Sequence, residues 1–232
     1  MRGFKTLIAA LLIASFALTG VSANTQADSA KAAATSPEAV VDHVVAQALR
    51  RIAESAETLN GDRAVALDIF NDEVRPYIDS YLMARFAMGP AARRADPDDI
   101  ERLSEALANR VANLYAGALQ RYAAEAVDFA EAGEVMLRTV TEDDKRAIVS
   151  ALVRGPHVED LTLRIQLYKR ENQWRVFDIE TSGVSILLVF RDALQAAAGR
   201  DGDVDTMIAA LEEGAVNVEQ AWEEAEGEEA AQ

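Results

Sequence analysis

Apolar residues recur every three or four positions through the first half of the chain, which is the spacing of helices that bury one face. Ser36-Pro37-Glu38 combines an N-cap, a proline at the first helical position and an early acid, so it predicts a helix that runs to near Gly61. Asp62 is suited to cap a second helix. After Pro76 interrupts the pattern, Tyr77–Met88 is apolar around much of its circumference and predicts a third helix.

The clearest long helix begins at Asp96-Pro97-Asp98-Asp99, where the acids lie at the positive end of the helix dipole. Its apolar stripe has steps of three and four residues and consists of Ile100, Leu103, Leu107, Val111, Leu114 and Ala118, widened by Tyr115, Leu119 and Tyr122. We therefore predict that residues 36–125 are mainly helical.

The period then changes to that of strands. Four candidate strands follow one another: Val135–Thr141, Ala147–Val153, Leu161–Lys169 and Trp174–Ile179. The short polar connections between them predict an antiparallel meander. In the third segment apolar residues alternate with mostly polar ones, which indicates a sheet with one buried face.

The fourth strand leads through Thr181-Ser182-Gly183 into the apolar run Val184–Phe190. The glycine predicts a sharp turn, and the run predicts a helix that is buried on most sides. A last short helix is predicted over Val204–Leu211. The expected fold class is α+β: N-terminal helices pack on a curved antiparallel sheet of about four strands, similar to the nuclear-transport-factor type, and C-terminal helices follow.

The N-terminus has the pattern of an export signal. Arg2 and Lys5 precede an apolar run, and the small residues Val21-Ser22-Ala23 follow it. We predict a signal peptide at 1–23 that is cleaved after Ala23, with a retained membrane anchor as the alternative. The chain has no cysteine, so neither disulfides nor a lipid-modified cysteine is expected, and the exported protein is predicted to be periplasmic.

The remaining organisation follows from composition. Residues 24–35 are small and polar and are interpreted as a linker, and one α+β domain is predicted at 36–211. Within it, 36–125 is mainly helical and 126–211 contains the sheet and C-terminal helices. Residues 212–232 form an acidic tail, since no Lys or Arg follows Arg200 while eleven acids do. The net charge of −16 argues against nucleic-acid binding and against permanent docking on anionic headgroups.

Candidate catalytic groups are few. His43 and His157 are the only histidines and neither has a ligand partner at metal-binding spacing, so no metal site is predicted. Ser185 lacks the surroundings of a nucleophile elbow and is interpreted as a helix cap. Asp178 is the best acid–base candidate, on the same strand face as Val176 if the alternation is regular. The simpler interpretation is a strand acid bonded to Arg175, to Arg191 or to backbone amides.

The predicted elements have more apolar surface than a small sheet needs. These faces either pack into a dry core or enclose a hydrophobic ligand. The lack of reactive groups favours a carrier over an enzyme, and no cofactor is expected.

Several motifs together point to a known family. They are Val74-Arg75-Pro76-Tyr77-Ile78, Ala87-Met88-Gly89, Leu114-Tyr115, Tyr122, Trp174-Arg175-Val176-Phe177-Asp178-Ile179, Gly183-Val184-Ser185, Arg191 and the segment Asp205–Leu211. In these residues the chain resembles the MlaC family, also called toluene-tolerance proteins, over roughly Ser36 to Leu211. Gln173 and Ser182 depart from the family's usual glycine and acid, and the acidic tail departs from relatives that carry lysines.

The resemblance implies a periplasmic phospholipid-binding shuttle that maintains outer-membrane lipid asymmetry. It implies loading and unloading at an outer-membrane lipoprotein–porin complex and at an inner-membrane ABC transporter with its substrate-binding subunit. The protein itself is expected to be a monomer, with phospholipid as cargo and acyl chains in a cleft between sheet and helices.

On that basis we predict the residues that contact the acyl chains from their apolar periodicity on elements that face the sheet. They are Tyr77, Leu82, Phe86, Tyr115, Leu119, Ile165, Leu167, Val176, Val184 and Leu187.

Two alternatives remain at this point. One is an enzyme or small-molecule-binding domain of the nuclear-transport-factor type that uses Asp178 as its base. The other is a lipid-free adaptor that contacts partners through the helical face of residues 98–122.

Overall fold

The computed structural model of the protein describes residues 36–156, 158–199 and 202–214. The predicted signal peptide, the linker up to Thr35, His157 and the tail from residue 215 lie outside this part.

The helices occupy both ends of the described chain. They are α1 (Pro37–Glu54), α2 (Arg63–Ile69), α3 (Ser80–Met88), α4 (Pro97–Arg121), α5 (Ala123–Ala132), α6 (Ile186–Ala198) and α7 (Val204–Glu212). A π-helical turn, Phe70–Val74, and a 3₁₀ turn, Arg75–Tyr77, join α2 to α3, and another 3₁₀ turn, Gly89–Arg93, follows α3. None of the described helices is long and apolar enough to span a bilayer.

The sheet is an open antiparallel meander in the order β1-β2-β3-β4-β5. Its strands are β1 (Glu134–Glu142), β2 (Arg146–Gly155), β3 (Val158–Arg170), β4 (Gln173–Thr181) and the two-residue β5 (Val184–Ser185). The predicted α+β class is therefore confirmed, and β5 is an addition to the four strands expected. Side chains on one face of β2 and β3 are almost fully buried, as the alternation predicted.

Helix α1 covers the buried face of the sheet, which we call the inner face. It contacts β1, β2 and β4, and α5 packs beside it. Glu38 fixes the start of α1 to the edge strand, because its Oε2 accepts hydrogen bonds from the Thr139 backbone N–H (2.9 Å) and hydroxyl (3.1 Å). The inner face and α1 thus form a layer with a shared apolar core.

The other helices form a second layer beyond the β4 edge. Helix α4 packs against α2, α3 and α7, and α6 packs against α3, α7 and β4. The free edge of β4 is closed in two parts. Near its start the Asp79 N–H donates to the Val176 carbonyl (2.8 Å) and Ile78 forms a parallel bridge to Val176, while β5 pairs with its end.

A β-bulge in β4 reverses the faces of the sheet to which the side chains of its second half point, compared with regular alternation. Leu167 pairs with Val176, but the next residue of β3, Gln166, pairs with Asp178, so Phe177 is the extra residue. Val176 and Ile179 consequently share the inner face with Ile165, while Asp178 lies on the opposite face with Gln166. The expectation that Asp178 shares a face with Val176 is wrong for this reason.

Two predicted helix boundaries and one burial expectation need correction. Helix α1 ends at Glu54 rather than near Gly61, and α3 begins at Ser80 rather than Tyr77, because the residues before it form the 3₁₀ turn. The run Val184–Phe190 is not buried on most sides: its first two residues form β5, and Leu188 is 44 % exposed.

Candidate functional site

A narrow apolar cleft lies between α1, the link from α2 to α3, and the inner face of the sheet. The space inside it that a water-sized sphere can enter is only about 10 Å³, so its walls are nearly in contact. Its lining residues are Val41, Val44, Val74, Tyr77, Ile78, Ile165, Val176 and Ile179. The Tyr77 hydroxyl is the only polar side-chain group among them, so the cleft offers almost nothing to a polar ligand.

Local structure explains why these residues converge. Val41 and Val44 are three positions apart on α1 and therefore lie on one side of the helix. The bulge at Phe177 turns Ile179 to the inner face, next to Ile165, its partner on β3. The 3₁₀ turn that contains Pro76 ends at Tyr77, and the extended Ile78 after it pairs with Val176 of β4.

The deep part of the cleft is closed in this structure. Val44, Val74 and Ile165 are each at most 1 % exposed. Tyr77 is half-buried at the cleft, and its ring centroid lies 5.5 Å from that of His43. Burial, and secondarily the charge of Glu73, raises the pKa of Tyr77, so its phenol is neutral at physiological pH. A guest larger than a water molecule therefore needs these walls to separate.

Asp178 belongs to a different cluster, at the corner between β4 and α6. It is 5 % exposed. Its Oδ1 accepts a hydrogen bond from the Leu187 N–H (3.0 Å), and its Oδ2 accepts from the Ser185 hydroxyl (2.7 Å) and the Gln166 amide (3.0 Å). Ser185 in turn caps α6, since its Oγ accepts from the Leu188 N–H (3.1 Å). The predicted cap role of Ser185 is confirmed.

The environment of Asp178 is that of a structural acid. Burial raises its pKa, and the hydrogen bonds from Leu187 and Ser185 partly oppose that rise. Of the alternative partners expected, a backbone amide, the Leu187 N–H, is the one that the structure shows, and the two arginines bond elsewhere. Arg175 donates to Gln173 (3.1 Å) and Arg191 to Asp192 (2.8 Å). Asp178 does not line the cleft, so it is not placed to act on a guest there.

Metal binding finds no support among the described residues, where no three His, Asp or Glu side chains converge. His43 is half-buried on α1, where its ring lies beside that of Tyr77.

Comparison with known proteins settles the family. The model of the family described as MlaC protein matches residues 42–213, which is most of the chain. The chain belongs to the MlaC family.

One relative and one solved structure extend this result. The toluene tolerance protein Ttg2D of Pseudomonas putida is 26 % identical over 180 residues, covering 76 % of this chain and 80 % of that protein. A phospholipid-binding protein of Ralstonia solanacearum, solved in complex with a phospholipid, aligns with a TM-score of 0.65 at 21 % identity. The alignment covers 77 % of this chain and 96 % of the Ralstonia protein, so the two share a fold.

The fold brings three of the ten predicted acyl-chain contacts together in the cleft: Tyr77, Ile165 and Val176. Leu167 is fully buried on the inner face, two residues from Ile165. Tyr115 and Leu119 are also buried, but on α4, in the second layer, where the Tyr115 ring lies 5.3 Å from Phe70.

The remaining four predicted residues lie around the β4–α6 corner and on α3. Leu187 is buried, Val184 and Leu82 are half-buried, and Phe86 is 44 % exposed. Phe86 stacks on Phe177, with ring centroids 6.1 Å apart. None of the four lines the cleft described above.

Five lining residues were not among the predicted contacts: Val41, Val44, Val74, Ile78 and Ile179. The valine periodicity of α1 was visible in the sequence and indicated a buried face, although not the element that it would cover. Ile179 was hidden by the bulge, because regular alternation assigns it to the opposite face from Val176.

Proposed function

We propose that the protein is a periplasmic phospholipid carrier in an Mla-type system that moves lipid between the two membranes and maintains outer-membrane lipid asymmetry. The observation that carries the proposal is the cleft, whose lining offers a single polar side-chain group. The phospholipid-binding Ralstonia protein of the same fold supports it.

The physical need for such a carrier follows from the hydrophobic effect. Exposing acyl chains to water is unfavourable by about 0.8 kcal/mol per methylene, which amounts to roughly 20 kcal/mol for the two chains of a phospholipid. A carrier therefore has to offer an interior almost as apolar as a bilayer. It also has to release its cargo, and a cleft whose walls close when it is empty favours release because no apolar cavity is left exposed to water.

No covalent chemistry is part of this function. Asp178, the buried acid considered as a base, has its carboxylate occupied by Ser185, Gln166 and the Leu187 N–H, outside the cleft. We therefore infer a binding protein with phospholipid as cargo, without cofactor or metal.

The proposed partners are proteins. A net charge of −16 repels anionic headgroups, so loading and unloading would occur at docking complexes rather than on bare bilayers. We infer an outer-membrane lipoprotein–porin complex and an inner-membrane ABC transporter with its substrate-binding subunit, in keeping with the MlaC family.

The proposed organisation has a cleaved signal peptide at 1–23, a linker at 24–35, a single lipid-binding domain at 36–211 and an acidic tail at 212–232. One apolar core that includes residues from α1 through α7 supports the single domain.

Native mass spectrometry of the full chain, expressed with its own N-terminus in a Gram-negative host and purified from the periplasm without detergent, tests the proposal. We expect a protein that begins at Asn24 and carries a phospholipid. Val44→Phe, which fills the cleft, should remove the lipid, while the matched control Leu49→Phe on the same helix should keep it.

The proposal fails if the wild-type protein carries no lipid and also takes up none from phospholipid vesicles. Lipid binding that is equal in Val44→Phe and wild type would instead reject this cleft as the site. A mature chain that keeps residues 1–23 would reject the export signal.

A further inference from the structure

Helix α7 lies alongside the first half of α4, and the two helices run in the same direction. Near the start of α7, the Asp205 carboxylate accepts a hydrogen bond from Arg102. Just after its end, a side chain at Gly214 would lie 3.5 Å from a guanidinium nitrogen of Arg110. Gly214 has a φ of 78°, the left-handed conformation in which many helices end. The chain therefore leaves α7 at the surface of α4, next to Arg110.

The second half of α4 extends beyond this point for about three turns, to Arg121. The burial of its apolar stripe changes over that distance. Leu103 and Leu107 are fully buried, whereas Leu114 and Ala118, further along the stripe, are half-buried. We call the surface of this second half the α4 strip and define it by Arg110, Leu114, Gly117, Ala118 and Arg121.

The α4 strip carries positive charge in a chain whose net charge is −16. Between Glu105 and Glu125 the sequence contains two arginines, both of them in the strip, and no acid. Arg63 of α2 adds a third positive charge. Its guanidinium donates to the Asn113 side chain (2.8 Å) and would lie 3.7 Å from a side chain at Gly117. The strip thus has an apolar centre with three guanidinium groups around it.

The sequence after Gly214 is complementary to the strip in both respects. Four apolar residues recur at steps of three and four, as on one face of a helix: Val218, Ala221, Trp222 and Ala225. The positions beside them are acidic: Glu219, Glu223, Glu224 and Glu226. A helix of about twelve residues is about 18 Å long, which matches the roughly 17 Å over which the strip extends.

We propose that residues 215–226 bind to the α4 strip as an amphipathic helix, so that Trp222 covers its apolar centre. The glutamates of the segment then lie beside Arg63, Arg110 and Arg121. Burial of the indole ring is favourable, and each carboxylate gains from a nearby guanidinium group. Because the segment begins at one end of the strip, its covalent attachment gives it a high effective concentration there.

This binding has a consequence for the partners of the protein. The adaptor alternative uses the helical face of residues 98–122 as its contact surface. With the segment bound, the second half of that face is covered, so a partner reaches it only by displacing the segment.

Fluorine NMR of the full chain, labelled with fluorotryptophan and purified after export, tests the proposal. The chain has two tryptophans, and Trp222→Phe identifies the signal of Trp222. Trp174 is 2 % exposed, so its signal reports separately whether the core is intact. We expect the Trp222 signal to be as broad as that of Trp174 and shifted from that of a free peptide of the same sequence. A narrow signal at the position of the free peptide would overturn the inference.

A pair of full-length variants tests where the segment binds. Ala118→Glu places a negative charge in the centre of the strip, while Ala196→Glu places the same charge on the exposed surface of α6. We expect Ala118→Glu to lower the ratio of bound to free segment by roughly tenfold, because the new charge meets an indole ring and nearby glutamates. Ala196→Glu should leave the ratio within about twofold of wild type.

The Trp174 signal should keep its wild-type position in both variants, which shows that the domain is folded. The inference is wrong if Trp222 stays bound in Ala118→Glu, since the segment then binds another surface. It is also wrong if the bound fraction of wild type falls on dilution, because the segment then contacts a second copy of the chain.

The charges are tested at an exposed position where a substitution leaves the core unchanged. Arg121→Glu should lower the ratio of bound to free segment by about two- to fivefold, because it replaces attraction to the glutamates with repulsion. Arg85→Glu, at an exposed position of α3, is the matched control and should leave the ratio unchanged. Equal effects of the two substitutions would contradict the placement of the glutamates beside the strip.

Discussion

The cleft and the β4–α6 corner share strand β4, but they differ in their interactions. Side chains in the cleft make apolar contacts, whereas those at the corner make hydrogen bonds. In the cleft the side chains of Val176 and Ile179 face other apolar side chains, and one backbone hydrogen bond, from the Asp79 N–H to the Val176 carbonyl (2.8 Å), joins the wall at Ile78 to β4. At the corner Asp178 has three hydrogen-bond donors within 3.0 Å, on three different elements: β3, β5 and α6.

Under the proposed function, this difference separates a binding surface from a structural cluster. Apolar contacts are non-directional, so walls made of them can part and close again around a guest of similar polarity. A buried carboxylate with directed donors resists movement, since each broken bond leaves a buried polar group unpaired. We therefore expect substitutions in the two regions to respond differently to lipid.

The largest effect is expected in the cleft wall. Ile165→Ala removes a side chain that is 1 % exposed and should lower the free energy of unfolding of the lipid-free protein by about 2–5 kcal/mol. Added phospholipid should restore much of this loss, because an acyl chain fills the space. Urea denaturation with and without lipid measures both quantities.

The control for this prediction is Ile69→Ala, a fully buried residue of α2 away from the cleft. Its loss should be similar and should not be recovered by lipid. Equal recovery in the two variants would mean that Ile165 has no special relation to the ligand.

The next effect is expected at the corner. Asp178→Ala leaves the Leu187 N–H and the Gln166 amide without their acceptor, so the free energy of unfolding should fall by about 2–3 kcal/mol. Lipid should not restore this stability. Recovery comparable to that of Ile165→Ala would place Asp178 at the ligand and remove the distinction between the two regions.

Ser185→Ala should have a smaller effect. The hydroxyl both caps α6 and donates to Asp178, so its loss is expected to lower the free energy of unfolding by about 1–2 kcal/mol. Ser36, which caps α1 by accepting from the Ala39 N–H, is the matched control, and Ser36→Ala should be milder. If both substitutions have the same effect, the bond between Ser185 and Asp178 contributes nothing.

Asp178→Asn is expected to have the smallest effect at neutral pH, because the amide keeps an acceptor for the Leu187 N–H. What distinguishes this substitution is how its effect on the free energy of unfolding depends on pH. Burial raises the pKa of Asp178 above its usual 3.8, so the folded protein holds the proton to higher pH than the unfolded chain does. The stability of wild type relative to Asp178→Asn should therefore fall as pH rises from 3.8 through the raised pKa.

Asp143 is a control, because its contribution to stability is expected to depend on pH in the opposite direction. Backbone hydrogen bonds from Lys145 and Arg146 lower its pKa, so its contribution is present above pH 3.8 and is lost as the pH falls through the lowered value. Urea denaturation of wild type, Asp178→Asn and Asp143→Asn between pH 3 and 7 measures how the free energy of unfolding of each depends on pH and checks both directions. A flat difference for Asp178→Asn would show that burial does not perturb this acid.

Much of the fold was predictable from periodicity. The four main strands and the helices α1, α4 and α7 follow directly from steps of two or of three to four residues, since those steps decide which face is buried. The boundaries were less predictable where turns compete with helix, as in residues 55–61 and in the 3₁₀ turn before α3.

The site was less predictable than the fold because it depends on what each buried face meets. The stripe that contains Tyr115 and Leu119 indicated burial, but its partners are other helices of the second layer. The cleft instead uses Val41 and Val44, whose stripe looked the same in the sequence. Periodicity identifies a buried face without identifying its neighbour.

The bulge at Phe177 has a consequence for how the length of this strand can change during evolution. Deleting Phe177 leaves Val176 opposite Leu167 and Asp178 opposite Gln166, so both faces keep their side chains. An insertion or deletion at Arg175 instead moves either the residues before it or those after it to the other face. We therefore expect variation in the length of β4 among homologous chains to be concentrated at this one position, with the acid and the cleft wall preserved on either side of it.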